Sequence, residues 1–260
     1  MSALAEKRVL VTRAAEDQDE LGALLAARGA RPVPLPCIAF ADPADPAPLE
    51  DALRRLRSGP APDFLVLASP HAAERFLARV DPATLRGVRI AAAGEGTARR
   101  IGERGLPSLA PAQGAGADAL VETLAPLVRG KEVLLPRAEG GNPALVAGLE
   151  RAGARVSAPI LYRTVPAAAA DPEGVRLLRA GHVDAIAFAS GSSARGFAAL
   201  FGNEAPALAG RARVACMGEA CAKDARAAGL RVDAVADGGL PELVEALESA
   251  LSTGRPGIPG

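Results

Sequence analysis

An α/β fold in two similar lobes is what this chain of 260 residues predicts, and three observations carry that reading. The sequence repeats itself at a spacing of 124: Val9-Leu10-Val11-Thr12-Arg13 returns as Val133-Leu134-Leu135-Pro136-Arg137, Gly29-Ala30-Arg31 as Gly153-Ala154-Arg155, and Gly94-Glu95 as Gly218-Glu219. Asp63 through Phe76 returns as Asp184 through Phe197 at 121, so the second copy carries a small deletion. Short apolar runs of strand length alternate with helical patterns, which is how parallel sheets between helices are built. A solenoid repeat runs to about 20–50 residues, so a period this long signals a duplicated α/β unit instead. Two lobes make a cleft, a favoured place for a ligand.

The elements follow in order. Val9–Val11 and Val133–Leu135 read as buried parallel strands. Leu21, Leu24 and Leu25 in the first copy, with Leu145 and Leu149 in the second, mark the helices that follow, and Gly29 and Gly153 stand where helix C-caps belong. A second strand is expected near 32–40 and again near 155–164. Linker-like segments at 42–46 and 166–172 then interrupt the two copies at equivalent places. Phe64–Ser69 and Ala185–Ser190 are strands ending in serine. Ser69-Pro70 is a strong helix start, with serine as N-cap and proline at the first helical position. Arg89–Gly94 and Arg213–Gly218 are strands ending in glycine, each followed by a helix. The closing residues 253–260 have little to pack against and are expected to be disordered.

Composition narrows the function. Thirty basic and thirty acidic residues cancel, tryptophan is absent and there is one tyrosine. A nucleic-acid binder would show a basic footprint and stacking aromatics, so that class is disfavoured. Cys37, Cys216 and Cys221 lack metal-ligand spacing and read as buried, reduced thiols. No apolar run reaches the length of a membrane span and the N-terminus has no signal-peptide core, which suggests a cytoplasmic protein.

Ligands of open parallel sheets bind outside the carboxyl ends of the strands. Those ends carry Thr12, Arg13, Ser69, Pro70, His71, Gly94, Glu95, Gly96, Thr97, Arg137, Ser190, Gly191, Ser192, Ser193, Gly218 and Glu219. Small and polar residues there serve ordinary capping, yet the helix N-termini they begin also suit anions, and both copies repeat them. Gly94-Glu95-Gly96 does not complete a dinucleotide fingerprint, because Arg99 occupies the third glycine position. Gly140, Gly141 and Asn142 make either a plain turn or a place where backbone N–H groups approach a ligand. Tyr162 has Ile38 as its counterpart, and such departures between copies are where a duplicated scaffold can host one-sided chemistry; spacing alone equally allows a half-buried aromatic at a strand edge.

With those residues in view, the chain resembles the uroporphyrinogen-III synthase family over roughly residues 7 to 250. The resemblance rests on Val9–Arg13, Ala68-Ser69-Pro70 with Phe76, Ala93–Ala98, Gly153–Val156 leading to Leu161–Pro166, Ala189-Ser190 with Phe197, and Gly218-Glu219-Ala220. Two departures are Cys221, where Thr97 stands in the other copy, and His71, where family members often have asparagine. The resemblance implies flavodoxin-like lobes with exchanged halves: residues 1–37 and 165–252 in one, 38–164 in the other, joined by a two-stranded ribbon. It implies closure of linear hydroxymethylbilane to uroporphyrinogen III with loss of water and inversion of the last pyrrole ring, without cofactor or metal, by a monomer. Tyr162 would then be the proton donor. The strand-end residues, with Arg13 and Arg137, would hold the substrate's carboxylates. The competing readings are a two-lobed binding protein for a small anion and a nucleotide-sugar transferase, the latter without a clear nucleotide motif.

Overall fold

The computed structural model describes residues 2–114 and 116–253, so all of the expected tail but Thr253 lies outside the described residues. In chain order the strands and helices are β1 (Arg8–Val11), α1 (Gln18–Ala27), β2 (Arg31–Pro34), β3 (Ile38–Ala41), α2 (Ala47–Ser58), β4 (Phe64–Leu67), α3 (Pro70–Leu77), β5 (Arg89–Ala92), α4 (Glu95–Gly102), α5 (Ala117–Leu124), β6 (Glu132–Leu134) and β7 (Arg137–Ala138). They continue as α6 (Pro143–Arg151), β8 (Arg155–Ser157), β9 (Ile160–Pro166), α7 (Pro172–Arg179), β10 (Ala185–Phe188), α8 (Gly191–Phe201), α9 (Ala205–Ala209), β11 (Arg213–Met217), α10 (Gly218–Ala227), β12 (Ala234–Ala236) and α11 (Leu240–Ser252). The single strand expected near 32–40 is two, because Leu35-Pro36 interrupts it between β2 and β3; Ala158-Pro159 does the same between β8 and β9. A proline lacks the N–H a ladder needs.

The chain divides into two compact units, one made of Met1–Phe40 with Thr164–Gly260, the other of Ala41–Arg163. The first holds a five-stranded sheet in the order β12-β11-β10-β1-β2, the second a four-stranded sheet in the order β5-β4-β6-β8. All the pairings recorded in both sheets are parallel. The four strands β11-β10-β1-β2 coincide with β5-β4-β6-β8 when each is replaced by its counterpart in the repeat, and so does the register; β12 has no counterpart strand. Val9 faces Ala185 in one sheet and Val133 faces Phe64 in the other; Arg8 faces Arg31, and Glu132 faces Arg155. A third sheet, β3-β9-β7, includes both places where the chain passes from one unit to the other.

Side-chain alternation along the strands gives each sheet two buried faces. In the first unit Leu10, Ile186, Phe188, Val214 and Cys216 point toward the α8–α10 side, with Phe197 edge-on to Phe188 at 5.6 Å between centroids. Val9, Val11, Ala185, Ala187 and Ala215 point to the opposite face, where Leu21, Leu25, Leu243 and Leu247 of α1 and α11 cover them. The second unit repeats the scheme, with Phe64, Val66, Ala91 and Val133 packed on Leu120, Leu124, Leu145 and Leu149 of α5 and α6. The cores are mostly aliphatic, with a few buried phenylalanines.

Candidate active site

In the Ala41–Arg163 unit a cavity of about 240 Å³ opens where the carboxyl ends of the strands meet the starts of helices, with Ser69, Arg137, Gly141, Asn142, Leu145 and Tyr162 in its wall. Each polar member is fixed by local chemistry. Ser69 caps α3, its Oγ accepting the Ala72 N–H at 3.1 Å, and Pro70 follows at a position where no N–H is needed. Asn142 caps α6, its Oδ1 accepting the Ala144 N–H at 2.9 Å. Tyr162 lies on β9, where its carbonyl accepts the Glu139 N–H at 3.0 Å and its backbone is paired with Ala138 of β7. Its side chain is buried, and the Arg75 guanidinium stands over the ring at 5.4 Å from the centroid, within cation–π range.

Arg137 is half-buried. Its Nη1 donates to the Gly141 carbonyl at 3.3 Å, while its Nε is enclosed and has no hydrogen-bond partner. The Gly141 N–H donates to the Ala138 carbonyl at 2.9 Å, so this amide closes a turn, one of the two readings its sequence allows. Gly140 is exposed, with open space where a side chain would be. Beyond this cavity, Gly94 begins α4 in extended backbone and Glu95 is exposed in its first turn. Thr97 is buried in that helix, and a Cβ at Gly96 would rest against Pro70 at an ordinary 3.6 Å. His71 is half-buried in the first turn of α3 and does not line the cavity.

The matching positions of the other unit have different partners. Arg13 lies 3.7 Å from the Asp17 carboxylate and 3.5 Å from that of Glu20. Thr12 is fully buried, and its hydroxyl donates to the Ala187 carbonyl at 2.7 Å; that is a fold contact, not a ligand contact. Ser193 is likewise buried. It completes a capping box with Ser190 and donates to the Ser190 carbonyl at 2.7 Å. Ser192 accepts from Arg195 at 3.2 Å, and a Cβ at Gly191 would strike the Asp224 carboxylate that Arg195 holds. Gly218 has a φ of 78° at the start of α10, and the Glu219 carboxylate pairs with Arg226 at 2.6 Å. Glu95 and Glu219 are both exposed at helix starts.

Sequence reasoning missed Arg75. Its counterpart at 121 is Gly196, just as Tyr162 has Ile38, so a pairwise search for departures between the copies would have found the two together. In the first unit a Cβ at Gly196 would strike the Cys37 carbonyl and lie 3.1 Å from Ile38, a tight contact where the second unit has its cation over a phenol ring. Among the described residues no group of three or more histidines, cysteines or acids could hold a metal ion, and no helix is long and apolar enough to cross a membrane.

The uroporphyrinogen-III synthase of Synechococcus elongatus is 29% identical over 199 residues, which are 75% of this chain and 74% of that protein. A mutant uroporphyrinogen III synthase from Thermus thermophilus shares the fold with a TM-score of 0.56 at 23% identity, over 95% of this chain and 99% of that one. The uroporphyrinogen-III synthetase of Helicobacter pylori does so at 0.59 and 17%, again over 95% and 99%. The family model described as "Uroporphyrinogen-III synthase HemD" matches residues 19–239. With most of its length matched, the chain belongs to the uroporphyrinogen-III synthase family.

Proposed function

We propose that this protein closes linear hydroxymethylbilane to uroporphyrinogen III, with loss of water and inversion of the last pyrrole ring, as a cofactor-free step of tetrapyrrole biosynthesis. The observation that carries the reading is the pairing of family membership with one cavity that holds the chain's single tyrosine beside a cationic side chain. Tyr162 supplies the proton on which the substrate hydroxyl leaves as water, a role that contributes roughly 10²–10⁴-fold when a donor is well placed. Holding the flexible chain so that its last ring reacts at the substituted carbon contributes more, as an orientation effect. Arg137 and the helix starts capped by Ser69 and Asn142 receive carboxylates of the substrate, helix ends adding about 0.3–1 kcal/mol each.

In this reading the two sheets descend from one duplicated unit whose halves have been exchanged, which accounts for the order and register that four strands of each share. The protein works as a cytoplasmic monomer, with hydroxymethylbilane as its partner and no nucleic acid. Supplying freshly made hydroxymethylbilane and identifying the isomer tests the function. The type III isomer is expected in excess; type I alone, at the spontaneous rate, rejects it.

A further inference from the structure

We propose that the Ala41–Arg163 unit holds a ligand site distinct from the Tyr162 cavity, one that takes a small monocarboxylate with a short aliphatic body. The site is a cavity of about 290 Å³ between α2 and the edge strand β8, lined by Ala52, Arg55, Glu132, Leu134, Arg155 and Ser157. Strand β6 separates it from the Tyr162 cavity. Leu134 lines the one and Leu135 the other, and successive side chains point to opposite faces of a sheet. The site stands whether or not the protein is a synthase.

The fold does not require this opening. In the other unit β2 is the counterpart of β8, and the place over it is packed. Val33, the counterpart of Ser157, is buried with Leu177 and Leu178 of α7 in one core. That helix lies so close to the end of β2 that a Cβ at Gly174 would strike the Pro34 carbonyl. Over β8 the same position is an exposed serine in the wall of a cavity. One duplicated unit fills the place with its own valine, and the other leaves it open beside two arginines.

The charges in the lining select the ligand. Arg55 meets the Glu132 carboxylate at 2.8 Å. Arg155 lies 3.7 Å from the same carboxylate, and its Nη1 donates to the neutral Gly130 carbonyl at 2.9 Å. Lys131 and Asp63 beside them pair with each other at 3.0 Å and cancel. Two guanidiniums against one carboxylate leave the lining with one positive charge, which a single carboxylate of a ligand neutralises. A guanidinium has several N–H donors, so each arginine can add a charge-assisted bond without giving up its present partner. Ala52 and Leu134 are buried and apolar, and supply contact for an aliphatic body. A volume of about 290 Å³ sits at the small end of the ~300–1,000 Å³ range of ligand sites, so that body is a short chain.

Backbone amide shifts of the protein, followed by NMR as hexanoate is added, test the site. Saturable shifts are expected at Ala52, Arg155 and Ser157. 1-Hexanol has the same chain without the charge and should bind severalfold more weakly, since it forgoes the charge-assisted bonds. Arg155→Gln should weaken hexanoate about two- to fivefold, the size of an exposed charge contact. Glu132→Gln keeps the shape of the side chain and removes the competing anion, so it should tighten binding about two- to fivefold, a gain that damage to the fold would not give. Ser157→Leu fills the space from an exposed position and should abolish the shifts. The site is overturned by a wild type without saturable shifts, by hexanol binding as well as hexanoate, by a Glu132→Gln variant that binds more weakly, or by a Ser157→Leu variant that binds as before.

Discussion

Asp184 holds Lys7 and the strand behind it: its Oδ1 meets the Lys7 ammonium at 3.0 Å and its Oδ2 accepts the Arg8 N–H at 2.9 Å. Asp63 repeats the arrangement in the other unit, with Lys131 at 3.0 Å and the Glu132 N–H at 2.9 Å. Each clip ties the start of one strand to the residue just before its sheet neighbour, and so selects the register seen in both sheets. Asp184→Ala is expected to lower unfolding stability by about 1–2 kcal/mol, since it leaves a backbone N–H without its acceptor. Lys7→Ala removes only a half-exposed charge and should cost under about 1 kcal/mol. Urea denaturation of the two variants compares them directly; an equal effect would mean that the ammonium, not the amide, carries the clip.

Acid should weaken the second clip in a defined direction. The Glu132 N–H and then the Lys131 ammonium hold the Asp63 carboxyl below the usual carboxylate value. A depressed value in the folded state means that protonation is easier in the unfolded chain. The clip's contribution is therefore complete above about pH 4, near the ordinary aspartate value, and is lost as pH falls through the lower folded value. Thermal unfolding from about pH 7 down to about pH 2 should show wild type ahead of Asp63→Asn at neutral pH and converging on it in acid. A gap that stays constant across that range would exclude this account.

Two glycines of α8 separate backbone crowding from side-chain crowding. A Cβ at Gly196 would strike the Cys37 carbonyl, and that carbonyl is held by the Ala167 N–H at 3.1 Å, so it cannot step aside. A Cβ at Gly191 would strike the Asp224 carboxylate, the end of a side chain that can rotate away from Arg195. Gly196→Ala is expected to destabilise by about 1–3 kcal/mol, the usual cost of overpacking, and Gly191→Ala by clearly less. Melting temperatures of the pair decide it, and the reverse order would show that α8 shifts as a rigid body.

The thiols should be silent in the native state. Burial pushes the Cys37 thiol well above its ordinary value, and a hydrogen bond with Cys221 together with burial does the same for Cys216. All three cysteines are reduced and buried, and a thiol must both ionise and be reached before it reacts. A chromogenic disulfide reagent is expected to detect none of them before denaturant is added and all three afterwards. Rapid labelling of the folded protein would contradict the burial.

Much of this fold is legible in the residues because local chemistry and packing agree. Ser69-Pro70 starts α3 as serine and proline should, and Gly29 and Gly153 follow α1 and α6 with φ of 81° and 90°. Strand alternation marks both faces of each sheet. What the sequence hid depends on which way a side chain turns in the fold. Nothing in the residues says that the Thr12 hydroxyl turns inward to the Ala187 carbonyl, or that Ser193 is buried against the Ser190 carbonyl. A polar residue at a strand end has the same letter whether it caps, packs or binds. Arg75 was hidden for a related reason, since the ring it covers lies 87 residues later.

Tyr162 offers the sharpest test of the chemistry, because phenylalanine removes its hydroxyl and nothing else. The ring would keep its place: its backbone is held to β7 by the Glu139 N–H, and the Arg75 guanidinium sits over the aromatic face, which phenylalanine retains. Packing is therefore preserved, and any change in rate reports the hydroxyl. If that group protonates the leaving hydroxyl, kcat of Tyr162→Phe should fall by roughly 10²–10⁴ while KM stays within a few-fold. Product formed on the enzyme should still be type III, because orientation of the last ring is a separate effect. The type I share should rise only as unbound substrate closes by itself. Arg75→Met gives the comparison: losing its contact with the ring face, worth about 0.5–1 kcal/mol, lowers the rate about two- to fivefold. A Tyr162→Phe enzyme with full kcat and type III product would remove the hydroxyl from the mechanism; a fall in kcat confined to about the Arg75→Met range would leave it a positioning role alone.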